Sequence, residues 1–344
     1  MKKSAAKGGK LPPKTLLDFI REGNKFLVAG HREPDGDCIG SQLALASVIK
    51  RMGKEAILCS AGPFRRSEIK PYEHLFCPDP DGKDSKVIIV DCSSLDRCGD
   101  LKSFLKGLPL AVIDHHKTGH NKKKPGKTEE PGLFDECQKT TDSVYIDSES
   151  PSTTLMIMKI IEELGMEMNK EEAEYIFFGL CTDTGFFRHV DSSGAETFDA
   201  AAALIRSGAN PKDAFQAVYG GKSLNSRRLL GCALVRVESY YDGKLVLSSE
   251  EYVETSRFGH EGRDSDSLYR LLLSVSGVEA VVIIRQETPD KCTIGFRSNS
   301  WVDVSDIAET LGGGGHKNAA GLSIAGTTSE IKLKIIKAFE KVLK

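Results

Sequence analysis

Short apolar runs in the first third of the chain lead directly into histidine or aspartate. These runs are residues 25–30, 87–90 and 110–113, and they precede His31, Asp91 and Asp114. Apolar runs of this length are typical of strands that are buried on both faces. Helical periodicity in residues 15–21 and 38–52 alternates with these strands. The alternation predicts an α/β fold with a doubly wound, mainly parallel sheet, and polar residues collect at the carboxyl ends of its strands.

The second half of the chain has a different pattern. Strand-like stretches with two-residue alternation recur there, for example at residues 278–287 and 291–298, with a helical stretch at residues 265–274. This pattern predicts a smaller, mixed α+β domain. The predicted organisation is a disordered basic tail (1–14), a catalytic domain (15–192), a helical linker (193–225) and a substrate-binding domain (226–344).

Composition limits the class of protein. The net charge of −2 gives no general attraction to long nucleic acid, so an anionic ligand must be bound by a local site. Nine cysteines without a C-x-x-C pair indicate a reducing compartment rather than a disulfide framework or zinc ribbon. No apolar segment reaches the roughly 18 residues that span a membrane, and none follows the basic start. We therefore expect a cytoplasmic protein that does not enter a membrane.

The polar residues at the predicted strand ends are the types that bind metal ions. Several carboxylates and imidazoles buried together would repel one another unless a cation stood among them. Carboxylates suit Mn²⁺ or Mg²⁺, and a bridging carboxylate can hold two ions about 3.5–4 Å apart, as in two-metal phosphatases and nucleases. The pattern therefore predicts a binuclear hydrolase. The candidate metal ligands are His31, Asp35, Asp37, Asp91, His115 and Asp183.

The order of these motifs resembles the DHH phosphoesterase superfamily, which is named for the triplet that Asp114, His115 and His116 form here. The His-x-x-x-Asp-x-Asp motif of residues 31–37, Asp91, the triplet and the Thr-Asp-Thr-Gly motif of residues 182–185 follow the family order. Residues 312–316 and 319–321 are similar to the Gly-Gly-Gly-His and Ala-Ala-Gly signatures of the DHH-associated domain. In length and plan the chain most resembles the bifunctional oligoribonuclease and pAp phosphatase subgroup.

The resemblance implies a role for each matching residue. Two Mn²⁺ ions are expected, with Mg²⁺ and Co²⁺ as alternatives, and Asp91 would bridge them. His116 would contact the scissile phosphate, and Asp114 would orient the histidines. The first ion would be held by His31, Asp35 and Asp91, and the second by Asp37, Asp91, His115 and Asp183. The expected substrate-binding residues are Arg297, Gly313, Gly314, Gly315 and His316, with Arg188 as a further candidate.

The resemblance also implies a substrate class. We expect hydrolysis of dinucleotides to pentanucleotides to mononucleotides, and removal of the 3′-phosphate of pAp to give AMP. The second domain would hold the far end of the substrate and so measure its length. Short single-stranded RNA or DNA, pAp and linear dinucleotides are the expected partners, and a homodimer is a family expectation. The alternatives are a linear or cyclic dinucleotide phosphodiesterase and a RecJ-type single-strand DNA exonuclease.

Other residues near these motifs have simpler interpretations. Residues 152–154 (Ser-Thr-Thr) are expected to cap a helix rather than to touch a ligand. Cys38 is expected to be a reduced packing residue. The segment 117–142 is interpreted as an insertion beside the mouth of the active site.

Overall fold

The computed structural model describes residues 9–116, 143–259 and 263–343. The chain divides into two compact units, Met1–Gly221 and Lys222–Lys344. The expected insertion at residues 117–142 and the start of the expected tail lie outside the described residues. Among the residues that the structure describes, no helix combines the length and apolar character needed to cross a membrane.

The first unit is built on a parallel five-stranded sheet. Its strand order is β2-β1-β3-β4-β5, and every neighbouring pair is parallel. The strands are β1 (Lys25–Ala29), β2 (Glu55–Cys59), β3 (Lys86–Val90), β4 (Leu110–Asp114) and β5 (Ser143–Ile146). The prediction of a mainly parallel sheet is confirmed, and the apolar runs at its centre are the strands β1, β3 and β4.

Helical segments cover both faces of this sheet. Val28 and Ile88 pack into a core with the longer helices, whereas Leu27 and Val87 pack on the opposite face against residues 98–105. This split follows from the alternation of side chains along a strand. The helices of this unit are α1 (Lys14–Glu22), α2 (Gly36–Arg51), α3 (Lys102–Leu105), α4 (Thr153–Glu163), α5 (Lys170–Asp183), α6 (Ala195–Arg206) and α7 (Pro211–Tyr219), with 3₁₀ turns at Lys70–Leu75 and Leu95–Leu101.

Helices α2 and α5 run antiparallel and approach closely at glycines. A Cβ at Gly36 would lie 2.5 Å from the side chain of Thr182, and one at Gly40 would lie 2.6 Å from the carbonyl oxygen of Tyr175. Because the contact is antiparallel, the first turn of α2 lies beside the last turn of α5. The acidic residues of these two turns are thereby brought together at one end of the helix pair.

The second unit contains a mixed six-stranded sheet, as predicted. The strand order is β10-β11-β9-β8-β7-β6, and all neighbours are antiparallel except β7 and β8. The strands are β6 (Glu238–Tyr240), β7 (Leu245–Glu250), β8 (Ala280–Thr288), β9 (Lys291–Ser298), β10 (Gly314–His316) and β11 (Ala319–Ala325). The helices are α8 (Leu224–Val235), α9 (Tyr252–Phe258), α10 (Ser265–Leu273), α11 (Val304–Thr310) and α12 (Thr328–Leu343).

Residues 193–225, for which a linker is predicted, include two complete helices. These are α6 and α7, and the division between the two units falls after α7, at Gly221.

The contact between α2 and α5 can be tested by adding one methyl group. We expect Gly40→Ala to lower the free energy of unfolding by about 1–3 kcal/mol, because backbone must move to admit the new Cβ. Gly231→Ala is the control, since Gly231 lies in helix α8 with nothing within 4 Å of its would-be Cβ. The control should stabilise the protein by about 0.5–1 kcal/mol. Urea denaturation followed by circular dichroism measures both, and equal effects would contradict the close approach.

Candidate metal centre

The six candidate ligands meet at the carboxyl-terminal edge of the parallel sheet. His31, Asp91 and His115 come just after strands β1, β3 and β4. Asp35 is the N-cap of α2 and Asp37 lies in its first turn. Asp183 is the last residue of α5, beside that turn. Strand ends and helix ends of the same unit thus converge on one place.

Both histidines direct the Nε2 atom of the ring at carboxylates. The Nδ1 of His31 lies 2.9 Å from the carbonyl oxygen of Arg32, and the Nδ1 of His115 lies 3.2 Å from that of Ser150. A carbonyl only accepts, so each Nδ1 is the N–H donor and the Nε2 of a neutral ring carries a lone pair. The Nε2 of His31 then faces the Oδ2 of Asp91 at 3.4 Å.

The Nε2 of His115 faces more carboxylates than that of His31. Its distances are 3.9 Å to the Oδ2 of Asp37, 3.6 Å to the Oδ1 of Asp91 and 3.4 Å to the Oδ2 of Asp183. This nitrogen is buried and has no hydrogen-bond partner among the described residues. A lone pair directed at carboxylate oxygens is repelled unless a proton or a metal cation lies between them.

The carboxylates are strongly perturbed by their surroundings. Asp37 and Asp91 are each 1% exposed, and burial raises the pKa of both. The neighbouring negative charges of Asp37 and Asp35 raise the pKa of Asp91 further. Burial, together with the charge of Asp37, raises the pKa of Asp183 to about 6. A bound cation would reverse these shifts by stabilising the ionised carboxylates.

Asp91 lies between the two histidines. Its Oδ2 is directed to His31 and its Oδ1 to His115, so the two oxygens face opposite halves of the site. Its backbone adopts a left-handed φ of 60°, which is uncommon for a residue other than glycine. This conformation turns the side chain toward the edge of the sheet just after β3 ends. The placement suits a carboxylate that bridges two ions.

Two threonines at the start of α4 hold the buried carboxylates, and sequence reasoning missed this role. Asp37 accepts hydrogen bonds from the backbone N–H groups of Thr153 and Thr154 and from the Thr154 hydroxyl, at 2.6, 3.0 and 2.7 Å. The Thr153 hydroxyl donates to Asp91 at 2.9 Å. Ser152 caps the helix as expected, by accepting from the N–H of Leu155. The Ser-Thr-Thr sequence at a helix start was the available signal, because such N-termini attract anions.

Asp114 and His116 form a pair next to the candidate ligands. The buried Asp114 accepts a 2.8 Å hydrogen bond from the Nδ1–H of His116. This bond raises the pKa of His116 above its ordinary value. The side chain of His116 is 45% exposed, so its Nε2 is available to a ligand. Asp114 thus orients His116, while His115 is oriented by the carbonyl of Ser150.

Among the described residues, candidate donor atoms form three groups in which all atoms lie within 4.8 Å of one another: His31 with Cys38 and Asp91; Asp91 with His115 and His116; and Asp37 with His115 and Asp183. Cys38 takes the place of Asp35 in the first group. However, its thiol lies 3.6 Å from the Oε1 of Gln42, and burial raises its pKa well above the ordinary value. An oxygen donor suits a hard divalent ion better than a thiol does, so Asp35, whose Oδ1 lies 3.9 Å from the Nε2 of His31, stays the candidate.

These observations fit a bound metal. Imidazole lone pairs and carboxylate oxygens converge on the same small region, and the tautomer of each histidine is fixed by a backbone carbonyl, as is common for metal-binding histidines. The donors are oxygen and nitrogen, which suits Mn²⁺, Mg²⁺ or Co²⁺. The assignment of individual ligands to one ion or the other stays a prediction.

The expected substrate-binding residues of the second unit lie on its sheet. His316 pairs with Ala319, and Ala319 pairs with Arg297, so these three residues form one row across β10, β11 and β9. Gly314 and Gly315 belong to β10, and Gly313 precedes it. In the first unit, the guanidinium of Arg188 lies 3.4 Å from the ring of His189. Their roles in substrate binding stay predictions.

Comparison with known proteins identifies the class. The chain matches the DHH family N-terminal domain over residues 25–180 and the DHHA1 domain over residues 249–344. The chain therefore belongs to the DHH phosphoesterase family and carries the DHHA1 domain in its second unit. The resemblance inferred from the motifs is confirmed.

Particular relatives cover most of the chain. The bifunctional oligoribonuclease and PAP phosphatase NrnA of Thermus thermophilus is 28% identical over 320 residues, which are 92% of this chain and 87% of the relative. The protein of the same name from Bacillus subtilis is 26% identical over 313 residues, 90% of this chain and 92% of the relative. An exopolyphosphatase-related protein from Bacteroides fragilis shares the fold, with a TM-score of 0.75, 22% identity and coverage of 96% and 97% of the two chains.

The role of Thr154 can be tested through metal affinity. We expect Thr154→Val to weaken Mn²⁺ binding roughly 10- to 100-fold, because the hydroxyl that orients Asp37 is lost while the shape is kept. Thr255→Val is the control, since it removes a buried hydroxyl in the second unit that donates to the carbonyl of Glu251. Titration calorimetry with Mn²⁺ measures both variants. Equal affinities in the two variants would show that the Thr154 hydroxyl does not orient the ligand.

Proposed function

We propose that the protein is a manganese-dependent phosphoesterase that hydrolyses short oligonucleotides to mononucleotides and removes the 3′-phosphate of pAp. The observation that carries the proposal is the pair of histidines whose Nε2 atoms face Asp91 from opposite sides. This arrangement suits two divalent ions joined by one carboxylate. The substrate class is supported by the names of the two NrnA relatives, which cover most of the chain.

The residues that would hold the ions are the six at the edge of the first sheet. His31, Asp35 and Asp91 would hold one ion, and Asp37, Asp91, His115 and Asp183 would hold the other. When bound, divalent ions at such a site lower the pKa of water and polarise the phosphoryl oxygens. Thr153 and Thr154 keep Asp91 and Asp37 in place by hydrogen bonding.

His116 is the residue of this site best placed to act on the substrate. Its Nδ1–H is held by Asp114, and its half-exposed ring leaves Nε2 free to donate a proton. We infer that Nε2–H donates to the leaving oxygen as the ester bond to phosphorus breaks, and that Asp114 keeps the ring in the required orientation.

The second unit would bind another part of the substrate. Arg297 and His316 lie in one row on the same sheet face and are separated only by the small side chain of Ala319. An arginine and an imidazole donor suit the phosphate and sugar oxygens of a nucleotide. Gly314 has nothing within 4 Å of its would-be Cβ, so a ligand could approach the backbone closely at that position.

The substrate class is tested by comparing pAp, a linear diadenylate, an RNA trimer, and long single-stranded RNA and DNA in the presence of Mn²⁺. We expect pAp and the trimer to be hydrolysed and the long strands to be resistant, and we expect a chelator to abolish hydrolysis. Preference for the diadenylate would assign a dinucleotide phosphodiesterase instead. Rapid degradation of long DNA would assign a RecJ-type exonuclease and overturn the proposal.

The bridging role of Asp91 predicts a large loss of activity. We expect Asp91→Asn to lower kcat/KM roughly 10³-fold or more, because a bridging carboxylate positions both ions and their stabilisation of the transition state is worth several kcal/mol. Asp191→Asn is the matched control, since Asp191 is an exposed aspartate whose side chain accepts hydrogen bonds from the nearby Ser193. Steady-state kinetics with pAp measures both. Activity of Asp91→Asn within a few fold of the control would exclude the bridge.

His116 should affect chemistry without affecting metal binding. We expect His116→Asn to lower kcat about 10²- to 10⁴-fold, the usual contribution of a general acid, while Mn²⁺ affinity stays near that of the unchanged protein. Calorimetry and steady-state kinetics separate the two effects. A parallel loss of Mn²⁺ affinity would instead make His116 a metal ligand, as its proximity to Asp91 and His115 allows.

A further inference from the structure

A buried tyrosine lies against the arginine of the second unit that we expect to contact substrate. Tyr269 of helix α10 is 4% exposed. The guanidinium carbon of Arg297 lies 4.8 Å from the centre of its ring, within the range of a cation–π interaction. The guanidinium of Arg285 is 5.8 Å from the same centre. Tyr269 therefore contacts the sheet face on which Arg297 and His316 lie.

The place of this ring is set by a glycine. A Cβ at position 295 would come within 2.1 Å of the Tyr269 hydroxyl oxygen. Gly295 is two residues before Arg297 on β9, and its cross-strand partner on β11 is Gly321. A side chain at position 295 would displace the ring from below Arg297. Because Gly295 has no side chain, the sheet has space for the Tyr269 ring beside Arg297.

Charge distinguishes Arg297 from the other arginines nearby. Arg263 and Arg285 share the buried carboxylate of Glu250, at 3.1 and 3.5 Å, and Arg263 also pairs with Glu287 at 2.9 Å. In the part of the chain that the structure describes, no carboxylate oxygen lies within 4.0 Å of Arg297. Arg297 instead donates to the carbonyl of Phe296 at 2.9 Å. Its positive charge is therefore left for an anionic ligand.

We propose that Tyr269 is a positioning residue, and that its ring holds the guanidinium of Arg297 in the orientation that accepts a substrate phosphate. The proposal rests on the proposed function for the identity of the anion. A long flexible side chain loses entropy when it binds, and a ring that restrains it beforehand reduces that loss. Tyr269 contributes to affinity through Arg297 and does not itself touch the substrate.

The first test detects the contact between Tyr269 and Arg297 by NMR and does not depend on enzymatic activity. The full chain is labelled with ¹⁵N at arginine Nε, and the Arg297 resonance is assigned from its loss in Arg297→Lys. A proton held over an aromatic face is shifted upfield, so we expect the Arg297 Hε upfield of the other arginines in the unchanged protein. The shift should persist in Tyr269→Phe and vanish in Tyr269→Leu. An unshifted Arg297 resonance in the unchanged protein would overturn the proposal, whatever the substrate.

The second test is a double-mutant cycle in steady-state kinetics with pAp. Tyr269→Leu should raise KM about tenfold with little change in kcat, and Tyr269→Phe should restore the KM of the unchanged protein. Gly295→Ala, which displaces the same ring, should resemble Tyr269→Leu. In an Arg297→Ala background, Tyr269→Leu should raise KM no further, because its effect passes through Arg297.

Each outcome of the cycle has a distinct meaning. If Tyr269→Leu raises KM equally in both backgrounds, Tyr269 does not act through Arg297 and the proposal is wrong. If circular dichroism shows that Tyr269→Leu is unfolded, the Arg297 resonance of the unchanged protein and the KM of Gly295→Ala still test the proposal. If pAp is not a substrate but the Arg297 resonance is shifted, the proposed function fails while the contact between Tyr269 and Arg297 stands.

Discussion

The first unit is organised around buried carboxylates that face the lone pairs of two histidines. Backbone carbonyls bind the Nδ1–H of His31 and His115, so both rings direct Nε2 toward Asp91. Such an arrangement is electrostatically unfavourable by itself, because burial removes the solvent that would screen it. Hydrogen bonds from Thr153 and Thr154 compensate part of the cost. Divalent cations would offset the remainder, and this electrostatic balance would link the fold to its chemistry.

The surrounding fold makes that concentration of charge possible. Parallel strands buried on both faces end at one edge, which brings residues distant in sequence to the same place. Glycines at positions 36 and 40 let helices α2 and α5 approach closely, so Asp37 and Asp183 lie beside each other. The N-terminus of α4 then directs its amides at Asp37. Each of these elements would be a weak site alone, and their convergence creates a strong one.

The candidate binding site of the second unit is positively charged, in contrast to the buried carboxylates of the first unit. Two of its arginines, Arg263 and Arg285, pair with Glu250 and Glu287, whereas Arg297 lies against an aromatic face and keeps its charge available. The first unit therefore suits bound cations, whereas the second offers a positive charge to an anion. Both properties suit phosphate esters, because a metal centre of this kind would activate a phosphate and an available guanidinium suits an anionic group. The family of the chain and the names of its relatives agree with this chemistry.

The sequence by itself determined the parallel sheet, the mixed second domain and the six candidate ligands, because apolar periodicity and strand-end residues are local signals. It also indicated a helix cap at Ser152. Only the tertiary structure decided that Thr153 and Thr154 hold Asp37 and Asp91, which are more than 60 residues away along the chain. The tertiary structure alone also decided that the Tyr269 side chain of helix α10 packs against Gly295 of strand β9. Local patterns specify helices and strands, but they do not encode which hydroxyl or ring meets which charge, since those contacts arise from packing between distant segments.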